Sequence, residues 1–64
     1  MTTLALDERR RYRDEVEALL DQIRGAVEEI QRLKARGVRG RAISERKRAL
    51  RETRSRLAAV VAGR

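Results

Sequence analysis

The sequence contains no cysteine, histidine, proline, tryptophan or phenylalanine, and Tyr12 is its one aromatic residue. Each absence removes a class of function. Without cysteine there is neither a disulfide nor a thiolate zinc site. Without cysteine or histidine there is no conventional nucleophile-base pair, and the remaining acid-base groups are carboxylates patterned among basic residues as on a solvated helix face. We therefore expect no enzyme, no metal and no cofactor. Long apolar runs are also missing: the longest, Leu57 to Ala62, is far short of the roughly 18 residues of a membrane span. The mildly apolar start, Met1 to Leu6, has no basic region before it and meets Asp7 and Glu8 at once, unlike a secretory signal or transit peptide. These features predict a mature, soluble protein that is cytoplasmic or nucleoid-associated, with no membrane partner.

What is present is short, charged and periodic. Sixty-four residues lie below the roughly 70 to 80 at which one hydrophobic core becomes comfortable, so a staple or a partner is needed. The strongest punctuation is Arg36-Gly37-Val38-Arg39-Gly40-Arg41. A glycine at a helix C-terminus accepts the left-handed conformation that closes the last turn, and Gly37 reads as such a stop. The expected organisation is a single helical hairpin over residues 1–64: helix 1 over about 3–36, a turn over about 37–40, and helix 2 over about 41–62. Ser44 is the alternative N-cap of helix 2, with a longer loop.

In the first segment Tyr12, Val16, Leu19, Ile23, Ala26, Ile30 and Leu33 recur at alternating spacings of four and three, an unbroken heptad seam. Gly25 interrupts it at a cost of about 1 kcal/mol relative to alanine, unless it marks a close helix contact. In the second segment Ile43, Leu50 and Leu57 fall seven apart, with Thr53 and Val60 at the alternate position and Arg46 where a third apolar residue is expected. A short turn makes the seams antiparallel and sets Leu33 beside Ile43, Ala26 beside Leu50 and Leu19 beside Leu57. Leu20 and Val27 are left on the flank of the first seam, and Leu4 and Leu6 on an overhang that the shorter helix does not cover. The fold class is therefore an all-α, coiled-coil-like antiparallel two-helix hairpin, and the surplus apolar surface at Leu4, Leu6, Leu20 and Val27 predicts a partner interface. A homodimer forming a four-helix bundle is the economical solution, because a lone two-helix hairpin buries too little to offset its chain entropy.

The formal net charge is +7, and its placement is the most informative feature. Arg32, Lys34, Arg36, Arg39, Arg41, Arg46, Lys47 and Arg48 share the segment from Gln31 to Arg48 with one acid, Glu45, so this segment alone is +7 and the rest of the chain cancels. On a hairpin, all of the net charge then sits at one tip. Elsewhere Asp7 with Arg11 and Glu28 with Arg32 have the spacing of helix ion pairs, and Arg46, Lys47 and Arg54 project beside the seam toward Glu29 or Asp21.

Fifteen of the 17 basic residues are arginine, whose guanidinium meets phosphate bidentately. The eight tip cations are therefore the expected nucleic-acid contacts, Arg36, Arg39 and Arg41 first, with Gly37 and Gly40 allowing backbone N–H groups close to an anion. Tyr12 is remote from the tip, so stacking on aromatic platforms is excluded and binding to DNA or RNA is expected through phosphates. No third helix follows to hold a recognition helix, which excludes a helix-turn-helix. The alternative function is a protein-interaction module that docks through its apolar helix faces while the tip addresses an acidic partner. In length and hairpin form the chain resembles the small dimeric helical-hairpin RNA binders of the Rop kind and the two-helix proteins of ribosome surfaces; no residue-level motif is shared.

Overall fold

A computed structural model describes the backbone of residues 2–63 and the side chains of residues 6–63. These residues form two α-helices, α1 (Thr2–Ala35) and α2 (Arg41–Ala62), packed against each other as a hairpin, with no strand among the described residues. Leu4, expected at the partner interface, lies outside the described side chains. The rod measures 55 × 17 × 10 Å between Cα extremes.

The heptad seam is what the helices bury. Leu19 and Ile30 on α1 and Ile43 and Leu50 on α2 are buried, and every other expected α1 seam residue, Tyr12 through Leu33, is half-buried. On α2, Leu57, Val60 and Thr53 are half-buried, and the Thr53 hydroxyl donates to the Ala49 carbonyl at 3.1 Å, so the polar seam residue is satisfied within its own helix. Arg46 leaves the seam and reaches across it to the Glu29 carboxylate, which lies one position from the expected register. No buried side chain among the described residues is polar.

The turn is specified by its two glycines. The Val38 N–H donates to the Leu33 carbonyl and the Gly37 N–H to the Lys34 carbonyl, both at 3.0 Å, with Gly37 at φ 82°. That pair of bonds around a left-handed residue is a Schellman closure, and half-buried Leu33 and Val38 occupy the positions of its hydrophobic contact. Gly40 then takes φ 81° and ψ −138°, a region open essentially to glycine, and the Ser44 N–H donates to its carbonyl as the first bond of α2. Gly40 thus holds the N-cap position, which settles the alternative that placed Ser44 there.

α1 is twelve residues longer than α2. At 1.5 Å per residue its N-terminal end extends about 18 Å past α2. Tyr12 shares a groove with Val60 and Gly63, so α2 ends near the level of Tyr12. Leu6 lies on the overhang and is 50% exposed.

Candidate nucleic-acid interface

The hairpin gathers the eight sequence-predicted cations at one end of the rod. Arg32, Lys34 and Arg36 come from the last turn of α1 and its closure, Arg39 from the loop, and Arg41, Arg46, Lys47 and Arg48 from the first two turns of α2; all eight are exposed. Three exposed ion pairs occur among the described residues, and two draw on this set. Arg46 pairs with Glu29 across the hairpin, and Arg48 pairs with Glu52 at 3.7 Å along α2. The third, Arg24 with Asp21 at 3.5 Å, lies away from the tip. Arg32, Lys34, Arg36, Arg39, Arg41 and Lys47 have no carboxylate within ion-pair distance among the described residues. The expected pairs Asp7–Arg11 and Glu28–Arg32 do not form. Exposed side chains choose among several partners of nearly equal energy, so such pairs are weakly determined.

The two helix ends meeting at the tip differ electrostatically. α1 ends with Arg32 and Lys34 in its last turn, where cations complement the negative end of the helix dipole. α2 begins with no acidic residue in its first turn and no side-chain cap on Gly40. The positive end of its dipole therefore adds to Arg39 and Arg41 instead of being offset by a side-chain acceptor. Lys34, Arg39 and Ser44 line a shallow groove beside this end, over buried Ile43.

A second cationic cluster lies along one side of the tip. Lys47 is set against Lys34, whose positive charge holds the Lys47 ammonium below the usual lysine value. Lys34, Lys47, Arg51 and Arg54 rim a groove floored by Ile30 and Leu50. Arg51 and Arg54 stand outside the predicted set, and the signal for them is spacing: they follow Lys47 by four and seven residues, on the same helix face.

Leu20 and Val27, predicted at a partner interface, both reach the surface: Leu20 is 43% exposed and Val27 is half-buried in the wall of the groove. Tyr12 lies at the opposite end from the tip, in a groove that Arg9 and Arg11 also line. No group of acidic residues among those described is arranged to hold a metal ion, and no described helix is long and apolar enough to cross a membrane. No protein-family model matches the chain, and no curated protein or solved structure matches it.

Proposed function

We propose that this chain is a small, non-enzymatic nucleic-acid-binding protein that meets phosphates with the basic tip of its hairpin and works in the cytoplasm or at the nucleoid. The observation that carries this reading is the concentration of net charge: residues 31–48 hold +7, and the hairpin folds them onto one end. Six of the cations there lack a carboxylate partner among the described residues, and the adjoining helix start adds positive potential. Such a tip gains affinity mainly by releasing counterions from a phosphate backbone, whether of DNA or RNA. Arg36, Arg39 and Arg41 make the first contacts, with Arg32, Lys34 and Lys47 flanking them. Arg46 and Arg48 contribute less, because each already shares its charge with a glutamate. Two hairpins join as a homodimer, a four-helix bundle that covers the apolar flank.

The test separates the two surfaces. Arg39→Glu with Arg41→Glu abolishes binding to duplex DNA and structured RNA while the helical content by circular dichroism is kept. Leu20→Glu with Val27→Glu removes self-association and leaves a single tip able to bind. Equal loss of nucleic-acid binding in both pairs would contradict a tip-borne site and favour a protein partner recognised through Leu20 and Val27.

A further inference from the structure

The side of the hairpin that carries Lys34 and Lys47 is the side on which its apolar surplus emerges. Lys47 lies against Lys34; fourteen residues along each helix the same register brings Val61 beside Leu20, with Val27 and Arg54 between them on one groove. Leu20 and Val61 are both substantially exposed, and Leu6 continues their row two heptads before Leu20. Basic residues border the row: Arg13, Lys34, Lys47, Arg51 and Arg54. Glu17 is exposed and lies one turn before Leu20.

The surface area indicates how much is left uncovered. The chain exposes 5490 Å². A compact monomer of 7.4 kDa would expose about 4,200 Å². The excess of roughly 1,300 Å² is more than the 800 Å² or so that each partner contributes to a standard protein interface. A second hairpin laid on this side has the length to cover both the row and the overhang of α1. Its direction is set by charge. A parallel pair would bring two +7 tips together, well inside the roughly 10 Å over which 0.1 M salt screens. An antiparallel pair separates the tips and sets Lys34 and Lys47 of each copy beside residues 13–18 of the partner's α1, where Asp14, Glu15 and Glu17 outnumber Arg13.

We infer that the occupant of this side is a second copy of the chain running antiparallel, with its two-fold axis between Leu20 and Val27, Glu17 of each copy beside Lys34 and Lys47 of the other, and one basic tip at each end. With that axis Glu17 is level with Ile30 of the partner, and because helical side chains lean toward their own N-terminus, Glu17 and Lys34 of the partner lean toward each other. The glutamate supplies the anion that two facing lysines lack within one chain. The functional consequence rests on the phosphate-binding reading above: tips at opposite ends let one dimer bridge two nucleic-acid segments.

The absence of cysteine makes the test direct, since Ala35→Cys accepts one spin label per copy near the tip. Sedimentation equilibrium without nucleic acid should show a dimer, and the two labels should lie about 35–45 Å apart, from the helix rise and the position of the axis. Glu17→Lys should weaken the dimer by about tenfold, and adding Lys34→Glu with Lys47→Glu should restore it. A monomer at all concentrations, labels within about 20 Å as packed parallel helices require, or failure of the charge swap to restore association would each overturn the arrangement. Coprecipitation of two differently labelled duplexes by the wild type, lost in Leu20→Glu with Val27→Glu, reports bridging. If the dimer and its label distance hold while no nucleic acid binds, the phosphate reading fails and the antiparallel interface stands.

Discussion

Gly25, Gly37 and Gly40 are alike in the sequence and differ in what their backbone requires. Gly25 is helical, and a Cβ placed there would meet nothing within 4 Å, so the glycine marks no close contact within the hairpin. Gly25→Ala should stabilise the protein by about 0.5–1 kcal/mol, read as a rise of a few degrees in thermal melts. Gly37 and Gly40 also have open space, yet both have positive φ, so alanine there is strained by backbone conformation alone. Gly37→Ala should cost about 1–2 kcal/mol and Gly40→Ala as much or more. Equal effects at all three positions would contradict the turn described. The Arg46–Glu29 pair is the other residue-level case. Its side chains are 47% and 42% exposed, so a double-mutant cycle should give a coupling of no more than about 1 kcal/mol. On the proposed phosphate-binding reading, Glu29→Gln frees Arg46 and should tighten nucleic-acid binding in a titration at low salt.

α1 was legible because its apolar residues hold a strict alternation of fours and threes over 22 residues, a pattern that no strand or loop imitates, and α2 because Ile43, Leu50 and Leu57 fall seven apart. The stop at Gly37 was legible for a similar reason, since a left-handed closure needs a particular residue type. The start of α2 was not, because Gly40 and Ser44 each satisfy a different capping rule and only the backbone angles distinguish them. The facing lysines were also hidden: Lys34 and Lys47 are brought together by the geometry of the turn, which local spacing does not encode. That contact has a pH signature. Lys34 holds Lys47 below the ordinary value of 10.5, so the folded chain releases this proton before the unfolded chain does. Hairpin stability contributed by this site should therefore rise as pH climbs through the window below 10.5, in melts compared with those of Lys47→Gln. The start of α2 offers a further element-scale test. Arg41→Glu places an acid at the positive end of the helix dipole and should stabilise α2 by about 0.3–1 kcal/mol while weakening nucleic-acid binding. A change that improves the fold and impairs binding is what a charge retained for its ligand predicts.

For the whole molecule, charge and apolar surface are separated along the rod. One end carries the net charge, and the row of Leu6, Leu20, Val27 and Val61 leaves it along one side. The sequence located the charged segment without ambiguity, because eight basic residues within 18 positions need no fold to be noticed. It points Arg46 toward Glu29 or Asp21, and the pair with Glu29 forms, but Arg48 appears identical to Arg39 and Arg41 until α2 places Glu52 beside it. The central claim is that the unengaged cations meet phosphates, and fluorescence anisotropy across a salt series tests it most directly. With labelled duplex DNA, log Kobs should fall against log salt with a slope of about −3.5 to −5.5, as four to six cations meeting phosphates require, the lower figure where Glu17 of a second copy engages Lys34 and Lys47. Arg39→Glu with Arg41→Glu should flatten that slope by about two and weaken binding at every salt concentration. A slope shallower than about −1, or an affinity indifferent to the reversal of Arg39 and Arg41, would contradict the claim.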